Sequence, residues 1–177
     1  MFSIEITSKY WINGPDDDPN DFCLHGDVRA FIGEEVFKCS CTISVMALRL
    51  LKTLSEDHIV SDPYDGQQML PCCGHFIIPN DKLDEVYITG CIYGIDWNVF
   101  NEEEKVRIVT KSGKETIVEK AEYEREVRRV VDEIEDYYKQ CQPKVIPSEI
   151  FESNGYSAFW NEWHRRKNQL KPSQHGI

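Results

Sequence analysis

Residues 106–140 read VRIVTKSGKETIVEKAEYEREVRRVVDEIEDYYKQ, and two hydrophobic periods meet within them. Val106-Arg107-Ile108-Val109 and Glu115-Thr116-Ile117-Val118 are short β-forming runs that flank Lys111-Ser112-Gly113-Lys114. That is hairpin composition, with Gly113 supplying the positive φ that a tight turn needs. From Ala121 to about Gln140 the period becomes helical: Tyr123, Val127, Val130, Val131, Ile134, Tyr138 and Cys141 share one stripe. The other faces carry Glu124→Arg128, Arg129→Glu133 and Glu135→Lys139 at i, i+4, pairs worth about 0.2–0.5 kcal/mol each. A hairpin running straight into an amphipathic helix is the signature of an α+β protein.

Upstream, Phe2-Ser3-Ile4-Glu5-Ile6-Thr7 alternates apolar and polar residues as a half-buried strand does. Asn13 to Asp21 is a loop of turn formers with an acidic tip. Phe22, Leu24, Val28, Ala30 and Ile32 share one parity, which predicts a strand over 22–32, and Gly33-Glu34-Glu35 turns the chain into Val36-Phe37. Ile43, Ala47, Leu50, Leu51 and Leu54 predict a helix from Thr42 to about Asp57, capped by Ser40 or Thr42. Ser61 to Gly66 is a loop, and a strand interrupted at Gly74 follows from Met69 to Ile78. Val86 to Phe100 has apolar residues on both parities, as in a central strand covered on both sides, with Gly90 and Gly94 marking bulges or close approaches. Pro143 and Pro147 enforce an extended linker, Tyr156 to Lys167 is a last helix, and about 168–177 is a loose tail. The predicted architecture is α+β: one domain over residues 1–177, mainly antiparallel sheet, with helices packed on one face.

The chain has 177 residues with 20 Lys+Arg against 31 Asp+Glu, a net charge of -11. Its length accommodates one substantial core. The last segment, 141–177, holds 5 basic and 3 acidic side chains, which leaves residues 1–140 with 15 basic, 28 acidic and a net charge of -13. Such a balance repels phosphate, so neither nucleic acid nor an anionic membrane is expected as partner, and a basic protein is. There is no apolar run near the roughly 18 residues of a membrane span, and Met1-Phe2-Ser3-Ile4-Glu5-Ile6 lacks the basic and apolar regions of a signal peptide. A cytoplasmic location is therefore expected.

Seven cysteines, an odd number without an export signal, argue against a disulfide framework and for buried free thiols. Cys72-Cys73-Gly74-His75, with Cys23-x-His25 and Cys39-x-Cys41, holds the residue types that zinc takes. In a strand, however, Cys72 and Cys73 point to opposite faces, and the one-residue gaps are shorter than the usual ligand spacing. Cys73 and His75 share a strand face, yet no nucleophile elbow, phosphate loop or His-Glu-x-x-His accompanies them. Asp16-Asp17-Asp18-Pro19-Asn20-Asp21 lacks the central glycine and terminal glutamate of a calcium loop. Tyr156, Phe159, Trp160 and Trp163 form a stripe: Phe159 and Trp160 read as core, while Trp163 beside Arg165 and Arg166 is equally compatible with an interface.

Phe2-Ser3-Ile4-Glu5-Ile6, Trp11, the run Phe22-Cys23-Leu24-His25-Gly26-Asp27-Val28-Arg29-Ala30-Phe31-Ile32-Gly33-Glu34-Glu35 and the apolar helix from Ile43 to Leu54 together cover about the first 56 residues. This layout resembles the opening of small bacterial immunity proteins from contact-dependent inhibition and other polymorphic-toxin systems. The resemblance implies a cytoplasmic, non-enzymatic inhibitor that binds the toxin domain of a cognate effector; it assigns no individual residue. With the acidic balance, the expected function is an acidic binding protein that neutralises a basic toxin domain, a nuclease being one such toxin, by covering its active site. Asp16, Asp17, Asp18, Glu102, Glu103 and Glu104 are the expected partner-binding residues. No catalytic residue, cofactor or metal is assigned, and monomer and homodimer both fit. The alternatives are a zinc- or thiol-dependent protein using Cys72, Cys73 and His75, and a structural adaptor subunit.

Overall fold

In the computed structural model, which describes residues 1–12, 16–60, 62–74 and 76–169, strands and helices segregate as an α+β fold. Strands β1 (Phe2–Ile6), β2 (His25–Ile32) and β3 (Glu35–Thr42) form an antiparallel sheet in that order. Helix α1 (Ile43–Lys52) follows directly. Strands β4 (Phe76–Pro79) and β5 (Val86–Thr89) make a two-stranded sheet, and β6 (Trp97–Asn101), β7 (Lys105–Thr110) and β8 (Glu115–Glu119) make a third. Helices α2 (Lys120–Gln140) and α3 (Ile150–Gln169) complete the order.

All pairing is antiparallel, as alternation predicts. Phe2 and Ile4 face Ile32 and Ala30 across the first ladder, and all four are buried, so one sheet face belongs to the core. The hairpin of β7 and β8 turns at Gly113 with φ +81. From there the chain enters α2, whose buried residues are Tyr123, Val127, Val130, Val131 and Ile134. Every residue from Ile43 to Leu51 is buried, so α1 is the central helix, packed on all sides. It touches β2, β3, α2 and α3; α2 covers β1, β7 and β8, and α3 covers β4 and β5.

Several boundaries differ from the sequence reading, each for a non-local reason. The strand expected over Val86–Phe100 is two strands in different sheets. Asp96, buried between them, accepts N–H bonds from Met69 and Trp97, both 3.0 Å, and a contact from His58 Nε2 at 2.8 Å, and the chain bends around this carboxylate. The run from Met69 to Ile78 yields only β4, because Leu70 pairs with Ile95 instead of continuing a strand. Helix α1 stops at Lys52, five residues early, where Thr53 turns its hydroxyl onto the Leu50 carbonyl at 2.7 Å and meets Tyr123 at 2.7 Å. Thr42, not Ser40, holds the N-cap position, without a side-chain capping bond. Strand β2 begins at His25 because Tyr138 OH donates to the Phe22 carbonyl and accepts from Leu24 N–H, which ties residues 22–24 to α2. Helix α3 is longer than expected and includes Asn168 and Gln169; the rest of the expected tail lies outside the described residues.

Helix α3 is fastened by a buried carboxylate. Glu162, 0% exposed, accepts from Val86 N–H at 2.8 Å and from Arg166 Nε at 2.8 Å, with Lys52 Nζ 3.2 Å away. One side chain thus joins α3 to β5 and to the end of α1. Removing it leaves the Val86 N–H without its acceptor, while Arg166 keeps Glu56 at 2.7 Å and Lys52 keeps the Val86 carbonyl at 2.9 Å, a cost of roughly 1–3 kcal/mol. Glu162→Ala should lower stability to urea by that order, read from the unfolding midpoint.

On β2, Asp27 accepts hydroxyl bonds from Ser40 at 2.5 Å and Ser8 at 2.7 Å, which hold its carboxyl below the ordinary carboxylate range. The folded value lies below the unfolded one, so the unfolded chain takes up the proton first. The contribution is complete above about pH 4 and is lost as pH falls through the folded value. Asp27→Asn should flatten the decline of stability below pH 4, measured by denaturant titration across that range.

Candidate functional site

The segments that sequence reading makes one interrupted strand and one long strand each contain an irregular connection, before β4 and between β5 and β6, and the two connections meet. The first is strapped by Leu70, whose N–H and carbonyl both pair with Ile95, and by Thr42 N–H, which donates to the Pro71 carbonyl at 3.0 Å. Arg49, from the buried side of α1, donates to the carbonyls of Gly66 (2.7 Å), Ile88 (3.2 Å) and Gln68. It thereby pins the approach to residue 70 against the end of β5. A Cβ on Gly90 would stand 2.2 Å from the Cys73 carbonyl oxygen, so the second connection closes on the first only because residue 90 has no side chain.

These constraints bring the Sγ atoms of Cys72, Cys73 and Cys91 within 4.8 Å of one another. Cys72 and Cys73 lie outside any strand, so the expectation that adjacent cysteines diverge does not apply. All three cysteines are half-buried. Hydrogen bonding to Cys91, with burial and the neighbouring thiols, pushes Cys72 up to about 12, and burial raises Cys73. Cys91 moves the other way: burial opposes its ionisation, but the Tyr93 N–H and the thiols of Cys73 and Cys72 bond to its sulfur and outweigh that. Cys91 is the member sequence reasoning misses, because a strand over 86–100 carries it away from Cys72. The one local signal is glycine next to cysteine in both Cys73-Gly74 and Gly90-Cys91.

His75 lies outside the described residues. Neither Cys23-x-His25 nor Cys39-x-Cys41 supplies a member of the three-thiol group. Cys23 is pushed up to about 12 by burial and by the charge of Asp21, and the Cys39 thiol donates to the Ser40 carbonyl at 3.2 Å.

The acidic candidates fall into two places. Asp17 accepts from Gln142 N–H and from Lys144 Nζ at 3.2 Å, and the Asp18 carbonyl accepts from Lys144 Nζ at 2.6 Å. The N–H of Gln142 holds the Asp17 carboxyl below its ordinary range. Lys144 also stands 3.3 Å from the Trp11 ring centre, so this end of the acidic loop fastens the linker after α2. Asp16 is exposed. Glu102, Glu103 and Glu104 are all exposed in the turn between β6 and β7. That turn is closed by Glu102 N–H on the Lys105 carbonyl and tied to the start of α2 by Lys120 N–H on the Glu104 carbonyl, both 2.9 Å. Glu102 pairs with Arg107 at 2.8 Å, and exposed Asp57 accepts from the adjacent Asn101 N–H. The 21 residues of α2, about 30 Å at 1.5 Å per residue, separate the two acidic groups.

Trp163 is 0% exposed and Arg166 is bound to Glu162, so the aromatic stripe of α3 is core at that position too. Exposed apolar side chains include Phe76, Ile78 and Tyr87 on β4 and β5, with Ile78 opposite Tyr87 in the ladder, and Ile150 and Phe151 at the start of α3. No helix of the described residues is long and apolar enough to cross a membrane. Comparison with protein-family models, with curated proteins and with solved structures finds no match.

Thiolate is the reactive form of cysteine, so the directions above order the three thiols. With limiting iodoacetamide at neutral pH, Cys91 should be carboxamidomethylated ahead of Cys72 and Cys73, which peptide mapping by mass spectrometry would read.

Proposed function

We propose that this chain is a non-enzymatic acidic binding protein of the immunity type, acting in the cytoplasm, which neutralises a cognate basic toxin domain by covering its active site. The observation that carries the reading is the turn of Glu102, Glu103 and Glu104, exposed beside Asp57 and held at both ends by backbone bonds. Carboxylates fixed on a firm turn present phosphate-like charge at constant spacing, which suits the cationic site of a nuclease. Charge of this kind raises the rate of encounter and selects the partner more than it tightens the complex. A groove of about 380 Å³ adjoins the turn, lined by Glu104, Lys120, Glu124 and Arg166, and extends the charged surface towards α2 and α3.

The test is co-expression with the C-terminal domain of the protein encoded immediately upstream. Toxicity that this chain relieves, with a stable complex on co-purification, supports the reading; a complex in which the partner stays active is the adaptor's result and would overturn it. Within a neutralising pair, Glu102→Lys, Glu103→Lys and Glu104→Lys together should slow association about tenfold at low salt and flatten its salt dependence. Dissociation should change far less, and stopped-flow mixing at several salt concentrations separates the two. An unchanged association rate takes this turn out of the interface.

A further inference from the structure

The three gathered thiols take no part in the acidic-surface reading, and their geometry has a chemistry of its own. Zinc bound tetrahedrally by thiolates at about 2.3 Å sets its sulfurs about 3.8 Å apart. The sulfurs of Cys72, Cys73 and Cys91 all lie within 4.8 Å of one another, so three corners of that tetrahedron are matched to about 1 Å, a gap that small side-chain rotations close. The geometry points to a metal site: we propose that Cys72, Cys73 and Cys91 bind one Zn2+ as thiolates, with the fourth corner taken by a ligand from outside this trio.

Two features beyond proximity support this assignment. The ligands come from two connections that have little regular structure of their own, and a metal bond between them cross-links what Arg49 and the Leu70–Ile95 bridge only align. Gly90 and Gly94 lack the Cβ atoms that would stand 2.2 Å from the Cys73 carbonyl oxygen and 2.8 Å from that of Leu70, so both let the connections close.

A disulfide uses the trio less well. Adjacent residues have Cα atoms about 3.8 Å apart, below the 4.4 Å or more that a bridge requires, so Cys72 and Cys73 are poorly placed for each other. A bridge from either to Cys91 leaves the third thiol over, whereas one metal ion engages all three.

The test uses the full chain, purified and kept reduced. Zn2+ is titrated in competition with a chromophoric chelator, and Co2+ is added separately to read the sulfur-to-cobalt charge-transfer absorption. One equivalent of zinc is expected, with a higher unfolding temperature when it is bound. Cys72→Ser, Cys73→Ser and Cys91→Ser should each weaken binding at least tenfold and diminish the cobalt band. Cys141→Ser, whose thiol lies outside the trio, should do neither, and far-ultraviolet circular dichroism checks that each variant is folded. Gly90→Ala keeps all three ligands while parting the connections, and should also lose affinity. The proposal is overturned if folded wild-type protein takes no zinc from the chelator, if Cys141→Ser weakens binding as much as Cys91→Ser, or if the reduced chain binds no metal and, once the reductant is removed and air admitted as oxidant, forms a disulfide to Cys91. None of these outcomes depends on a toxin partner, so the zinc site and the immunity reading stand or fall separately.

Discussion

The guanidinium of Arg49, 6% exposed in the middle of the central helix, donates to the carbonyls of Gly66, Gln68 and Ile88. Burial pulls its pKa down to about 10, against which the charge of Asp96 acts, so the cation persists at neutral pH. Loop carbonyls brought against an apolar helix must find donors or forfeit about 1–3 kcal/mol each. Arg49 satisfies three of them at once, and in doing so joins the irregular middle of the chain to its regular core. The close approach at Gly90 and the meeting of the three thiols both lie downstream of that anchorage.

Glu162 does the complementary work on the other side of the molecule. Its carboxylate sits between Lys52, Arg166 and the Val86 N–H, so α1, α3 and β5 share one charged knot. The two knots have opposite sign and different logic. Arg49 is neutralised mainly by backbone dipoles, while Glu162 is neutralised by two cations. Both hold elements that hydrophobic contact alone would leave free to slide, because α1 presents apolar surface on every side.

The acidity of the chain is spent unevenly. On α2, Glu126 accepts from the Ile4 N–H at 2.7 Å and so fastens the edge strand β1, while Glu133 binds Lys9 in the segment that follows it at 2.6 Å. The Asp17 carboxylate is drawn into the contact with Lys144, and that of Asp18 accepts from the Asn20 N–H at 2.9 Å. The glutamates between β6 and β7 remain turned to solvent, with only Glu102 engaged by Arg107.

The sequence alone determined what depends on neighbours along the chain. The hairpin over β7 and β8, the positive φ of Gly113, the stripe of α2 and the antiparallel α+β class all follow from periods of two and 3.6 residues. Only the tertiary structure decided what depends on residues far apart. Asp96 divides the expected strand over 86–100 through partners at residues 58 and 69, and Cys91 joins Cys72 and Cys73 across that division. Trp163 follows the same logic: its spacing fits core or interface, and burial in the packed molecule makes it core. Periodicity records which face of an element is apolar, but it holds no information about which distant polar group a buried charge or loop carbonyl will find.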